Sequence, residues 1–228
     1  MIYTDNLDSN IPICAWIPNA NDYTVELINS GEYISLLPAV ERALANTTKN
    51  FYKINCSFTF TSRTSLKAFL QFFENCKGSY KTFYLPCWQK DFTLTRNVII
   101  NDTVIYIKDV HLRYNLASYL TLFLFIPTSE SSGDSSLNWE FGTFITRRVS
   151  NITSTATGEE EITLYTSMPI SININSVKVF SKLLVARFLD SSISINWHFT
   201  KNDKILATVS CSFIEIPTEY DILFPAIS

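Results

Sequence analysis

The sequence predicts a mainly β chain with one short amphipathic helix, on three observations. Two long stretches alternate apolar and polar residues at period two. One stretch alone repeats at the helical period. Between them lies a block of short apolar runs cut by polar turns. In Phe51–Phe60, Tyr52, Ile54, Cys56, Phe58 and Phe60 take one phase, and Lys53, Asn55, Ser57 and Thr59 the other. That pattern is a strand with one buried face and one wet face. Near the C-terminus Ile193, Ile195, Trp197 and Phe199 alternate, Lys201-Asn202-Asp203-Lys204 turns, and Ile205, Ala207, Val209, Cys211 and Phe213 alternate back. Two matched faces of this length predict a hairpin within one sheet packed on a core. Pro217 stops the second strand.

The helix rests on Leu66, Phe69, Leu70 and Phe73, which stand at i, i+3, i+4 and i+7 and predict a helix over Ser65–Cys76. Thr64 or Ser65 caps the first turn through a side-chain oxygen. Gly78 takes the left-handed conformation that ends the helix, and Lys77 stands where the helix dipole favours a cation. Burying the four apolar side chains is worth roughly 6–12 kcal/mol before entropy is subtracted. A helix this short does not hold alone in water, so its stripe must dock on a sheet. An extended aromatic segment follows, through Phe83 to Pro86 and then Trp88.

After Trp88 the runs shorten. Phe92–Thr95 is followed by Val98–Ile100, a turn at Asn101-Asp102, and Val104–Ile107 pairing back as a hairpin. Tyr119–Ile126, Trp139–Arg147 and Ile162–Tyr165 read as further strands, with a polar loop over Ser129–Ser136 and an acidic turn at Glu159–Glu161. This texture predicts a small β-barrel over residues 89–180. Residues 1–50 read as irregular, interrupted by Pro12, Pro18 and Pro38, with a short helix at Ala39–Ala45.

Composition narrows the function classes. The chain has 228 residues and a formal net charge of −3, with no basic run, which disfavours a general nucleic-acid binder. Charged residues make up 17%, below the ordinary share of about 25%, while aromatics reach 14%. Such a surface suits a subunit that buries much of itself against neighbours. The N-terminus lacks the pattern of a signal peptide, and Leu120–Ile126 is too short to span a bilayer. The five cysteines include no C-x-x-C pair, so neither a zinc knuckle nor a redox motif is expected. Cys56 and Cys211 fall on the apolar phase of their strands and read as buried thiols, consistent with synthesis in a reducing cytosol. The four glycosylation sequons, at Asn46, Asn55, Asn101 and Asn151, read as background in an Asn- and Thr-rich chain.

Chemistry is sparse. His198 reads as a solvated strand residue, and His111 follows Asp109 at a spacing that is common by chance. No nucleophile elbow, zinc-protease, phosphate-loop or dinucleotide motif occurs. No catalytic residue, cofactor or metal ligand is therefore expected. Glu215 and Glu219 flank Pro217 and suit pairing with basic residues of a neighbouring chain. Trp139, Phe141 and Tyr165 are the rings that would stack on a sugar if the small barrel bound carbohydrate.

The order of pieces resembles a known group. Phe58-Thr59-Phe60, the helix Leu66–Phe73, Lys77-Gly78, and the strand Thr82-Phe83-Tyr84-Leu85-Pro86 are similar to distal tail and tail-tip proteins of long-tailed bacteriophages. The run Val185–Asp190 through Phe213-Ile214-Glu215-Ile216-Pro217-Thr218-Glu219 looks like the closing hairpin of such proteins. The resemblance covers about half the chain and does not extend to the N-terminus. It implies a β-sandwich tail domain from residues 1–88 and 181–228, interrupted by the small barrel. It also implies a non-enzymatic virion protein, made in the host cytoplasm, forming a ring at the distal end of a phage tail. Its partners would be further copies of itself, six by the usual count of the group, the tail tube protein, and baseplate hub or tail-tip proteins. Neither sequence-specific nucleic-acid binding nor membrane insertion is implied. A carbohydrate- or receptor-binding module and a trimeric tail-tip hub are the alternatives. Packing and assembly then fall to Leu66, Phe69, Leu70, Phe73, Gly78, Phe83, Pro86, Trp88, Glu215 and Glu219.

Overall fold

The computed structural model describes residues 2–3, 11–28, 32–37, 40–44, 51–110, 120–127, 142–155, 158–199 and 205–216. The protein is mainly β. Among the described residues it has thirteen strands and one α-helix. These are β1 (Ile2–Tyr3), β2 (Thr24–Ile28), β3 (Glu32–Leu37), β4 (Val40–Leu44), β5 (Phe51–Phe60), α1 (Arg63–Asn75), β6 (Phe83–Pro86), β7 (Val104–Lys108), β8 (Thr121–Pro127), β9 (Gly142–Ser154), β10 (Glu159–Leu164), β11 (Val179–Phe188), β12 (Ser194–Phe199) and β13 (Ile205–Glu215). The chain divides into two compact units. The helical unit draws on Pro18–Phe83 and Val185–Ile222, and the strand unit on Met1–Ile17, Tyr84–Leu184 and Leu223–Ser228.

In the helical unit the two long alternating stretches are neighbours. β13 runs antiparallel to β5, with Ala207 opposite Phe60 and Phe213 opposite Ile54. β2 covers the far side of β5, and β12 pairs back on β13 from Ser194–Ser210 to Phe199–Ile205. The inward phase of β5 and β13 is buried at Ile54, Cys56, Phe58, Phe60, Ala207, Val209, Cys211 and Phe213. Ser57 breaks the expected wet phase. It is buried, and its hydroxyl donates to the Asp22 carboxylate and accepts from the Asn19 side-chain amide. The short helix expected at Ala39–Ala45 is instead β4, paired with β3 from Glu32–Leu44 to Leu37–Val40. A window of seven residues barely nucleates a helix, whereas a hairpin satisfies the same backbone groups at once.

The helix starts earlier than its apolar stripe suggests. Ser62, rather than Thr64 or Ser65, is the cap, and its hydroxyl accepts the Ser65 N–H at 3.1 Å. The buried face is Leu66, Phe69, Phe72 and Cys76, while Leu70 and Phe73 are half-buried at its margin. Phe72 falls outside the i, i+3, i+4, i+7 template because the sheet meets the helix on the 66–69–72–76 line. The C-terminus closes with two crossed bonds, Lys77 N–H to Glu74 O at 2.9 Å and Gly78 N–H to Phe73 O at 3.2 Å. This places Lys77 (φ 52°) as well as Gly78 (φ 60°) in the left-handed region. A side chain on Gly78 would also press on the Ser191 backbone, 3.0 Å from its Cβ.

In the strand unit, β11 pairs with β8, β8 with β9, β9 with β10, and β10 with β7, all antiparallel. β1 adds to β9 in parallel. The segment Phe92–Thr95 runs between the two ends of this series. Phe92 N–H donates to Phe180 O on β11 at 3.0 Å, and Thr95 N–H to Tyr106 O on β7 at 3.0 Å. The core is largely aliphatic, built from Ile105, Ile107, Leu122, Leu124, Ile145, Ile162 and Leu164 with their neighbours.

Two local readings change here. Val98–Ile100 does not form a hairpin with β7. The turn exists, with Asp102 N–H on Ile99 O and Asn101 at φ 71°, but Val98 bridges Ile172 and β7 takes β10 as its partner. The segment that pairs back on the other edge of β7 is Thr93–Thr95, with Leu94 opposite Ile107 and Lys108 N–H on Thr93 O. Glu159–Glu161 is not a solvated turn but the start of β10. The reversal lies earlier, at Gly158 (φ 75°). Glu159 meets Arg96 at 2.6 Å, and Glu160 points inward, fully buried, accepting the Val110 N–H at 3.2 Å.

Candidate functional site

The packing residues read from the sequence converge in the helical unit. Phe69, with 0% exposure, lies 5.1 Å from the Phe58 ring and 5.3 Å from Phe60. Phe73 meets Phe188 edge-on at 4.8 Å. Phe83 meets Phe72 at 5.2 Å, Phe188 at 4.9 Å and Phe213 at 5.7 Å. Edge-to-face rings at these spacings add about 0.5–1.5 kcal/mol per pair beyond burial. Pro86 ends β6 and is buried. Trp88, at φ 54°, belongs to the strand unit and packs edge-on against Phe123 at 5.2 Å. Glu215 accepts the Tyr52 backbone N–H through Oε2 at 3.0 Å, within its own chain. Glu219 lies outside the described residues, as do His111, Trp139, Phe141 and the loop Ser129–Ser136.

Two features of this unit were not legible in the sequence. The first is its pair of sheet edges. Among the described residues β2 pairs with β5 alone, and β12 with β13 alone. Each edge carries an exposed apolar side chain: Leu27 (56% exposed) on β2 and Trp197 (47%) on β12. The register puts both on the same face. Leu27 stands opposite Tyr52, two places from Ile54, which faces Phe213, and Trp197 stands opposite Ala207 on that phase of β13. Trp197 was expected to point into the core; on an edge strand only one neighbour covers it.

The second is a notch beside β13. β11 pairs with β13 at Phe213–Glu215, β12 pairs with it as far as Ser210, and residues 189–193 cross between them. The notch is lined by Asp22, Ser57, Asp190, Ser192, Asn196 and Ser210 among others, with the thiols of Cys56 and Cys211 also at its wall. These residues are scattered through the sequence, and each alone reads as a solvated polar residue. Only the register brings Ser57, Ser210 and Ser194 into one row.

Cys56 and Cys211 stand directly opposite each other, and all five cysteines are buried free thiols. Burial pushes the Cys211 thiol up to about 12, Asp190 adding to the effect. Burial raises Cys56 further still, with Cys211 adding to it. Thiols held protonated in this way are poor nucleophiles. Among the described residues no group of three or more His, Cys, Asp or Glu side chains is arranged to hold a metal ion. No helix among them is long and apolar enough to cross a membrane. The chain matches no protein-family model, and no curated protein sequence matches it.

Proposed function

We propose that this chain is a non-enzymatic structural subunit that forms a ring at the distal end of a phage tail, joining the tail tube to the baseplate or tip complex. The observation that carries the ring is the pair of sheet edges. β2, β5, β13 and β12 alternate in direction. Four alternating strands leave the two outer ones antiparallel to each other. Copies related by rotation about an axis along the strands then bring β12 of one against β2 of the next as an antiparallel pair. Leu27 and Trp197 meet on one face of that seam. Such contacts are head to tail, and they close when the rotation divides a full turn. Pairing removes two exposed edges at once, which is otherwise a liability for a sheet.

Other features support the tail reading. The order of strand, helix, left-handed stop and aromatic strand is followed by a hairpin that returns to the first strand. The helical unit is interrupted in sequence by the strand unit, in the manner of a tail-type sandwich with an inserted barrel. Phe92–Thr95, reaching both β11 and β7, supports a closed barrel for that insert. The partners of such a ring are its own copies, the tail tube protein and a hub or tip protein, and its place is the virion.

Light scattering over a concentration series, with negative-stain imaging of the same sample, tests the proposal. The expected result is a closed ring of about six copies, lost in Leu27→Lys and Trp197→Lys, which place cations on the seam without touching the core. A monomer throughout the series, with the two variants indistinguishable from it, overturns the ring.

A further inference from the structure

The notch beside β13 is an open cleft of about 660 Å³, inside the range of about 300–1,000 Å³ of small-molecule sites. Its lining narrows the class of ligand. Two carboxylates, Asp22 and Asp190, stand with the hydroxyls of Ser57, Ser192 and Ser210 and the amide of Asn196, and among the described residues no lysine or arginine lines it. A phosphate, a sulfate or a nucleic-acid backbone would bring negative charge to two carboxylates with no cation to offset it. An apolar molecule would strip water from these polar groups without replacing the hydrogen bonds. No group of three acids, cysteines or histidines among the described residues offers to hold a metal ion. A molecule rich in neutral hydroxyls fits every wall. Its O–H groups donate to the carboxylates in charge-assisted bonds, and its oxygens accept from Ser192, Ser210 and Asn196. Ile193 gives it an apolar surface for C–H groups. The site is also partly organised before any ligand arrives, because Asp22 is held by the Ser57 hydroxyl, which is itself held by Asn19. We infer that this notch binds a neutral saccharide of one to a few rings, on the helical unit rather than around Trp139 and Tyr165. The inference does not depend on ring formation.

The test is isothermal titration of the full chain with maltotriose, cellotriose and chitotriose, each to about 10 mM so that millimolar binding registers. At least one should bind, with inorganic sulfate silent. Asp190→Asn and Asn196→Ala should each weaken that binding by about tenfold, the equivalent of one charge-assisted or well-placed hydrogen bond. Both residues are exposed, so the melting curve should not move. Ser210→Trp, which fills the notch from an exposed strand position, should abolish binding. The inference is overturned if none of the three sugars binds. Binding that survives all three variants, or sulfate binding in preference to sugar, overturns it equally.

Discussion

The two units solve the same packing problem with different side chains. The helical unit fills the space between helix and sheet with rings: Phe58, Phe60, Phe69, Phe72, Phe83, Phe188 and Phe213 form one continuous set of contacts. The strand unit fills its largest core cluster mainly with Ile, Leu and Val, holds Phe92 against Phe180 at 5.2 Å where segment and strand meet, and keeps its other rings, Trp88, Phe123, Phe125 and Phe144, in contact with one another. Aromatic cores are therefore sensitive to lost volume, and tight strand layers to added volume.

The largest expected effect tests the first half of this contrast. Phe69→Ala should cost about 3–5 kcal/mol, against about 0.5–1.5 for Ile107→Val in the strand unit. Urea unfolding of both variants checks it, and equal losses would erase the distinction. Next comes Gly142→Ala. A Cβ at this position would lie 2.1 Å from the Phe125 ring and 2.9 Å from the Ile126 carbonyl oxygen. The strand unit should lose about 1–3 kcal/mol to this overpacking, read as a lower thermal midpoint. At the helix start, Ser62→Ala should cost about 1 kcal/mol by removing the bond to Ser65 N–H. At its end, Lys77→Gly should stabilise by up to about 1 kcal/mol, since only the left-handed penalty is relieved.

Alkaline pH sharpens the contrast in another way. The thiols of Cys56, Cys76 and Cys211 are raised above their ordinary value of 9.0 in the folded protein, Cys76 to about 11 and Cys211 to about 12, chiefly by burial. Unfolding releases them to ionise, so the unfolded chain holds fewer protons above pH 9. Stability from this source is complete below pH 9 and falls as pH rises towards 11 and 12. All three lie in the helical unit. Melting curves between pH 8 and 10.5 should shift down, and Cys56→Ser with Cys211→Ser should flatten that slope.

The helical unit was the more legible in sequence, and the reason is physical. β5 and β13 have one wet phase, so alternation reports both strand and face. The matched length of the two C-terminal patterns predicted the hairpin of β12 and β13, whereas the pairing of β13 with β5 emerged only in the structure. β8 offers no such signal. Thr121 to Phe125 are buried on both phases, so its apolar run marks a strand without saying which neighbour it takes. Glu160 misled because a buried glutamate, accepting the Val110 N–H through one carboxylate oxygen, is spelled the same as a solvated one. The notch was invisible for a different reason. Nothing in Ser57, Asp190 or Asn196 distinguishes it until strands from opposite ends of the chain lie side by side.

That wide spacing also orders events on the ribosome. Tyr52 donates its N–H to Glu215, a partner 163 residues further along, so β5 emerges long before the strand that completes its sheet. Tyr84–Leu184, the bulk of the strand unit, is made before β12 and β13. Until β13 is released, β5 is paired on one edge only, by β2, and the ring-rich face under the helix still lacks Phe213, which is when a nascent chain is most prone to aggregate. The protein spends most of its own synthesis waiting for its last strand.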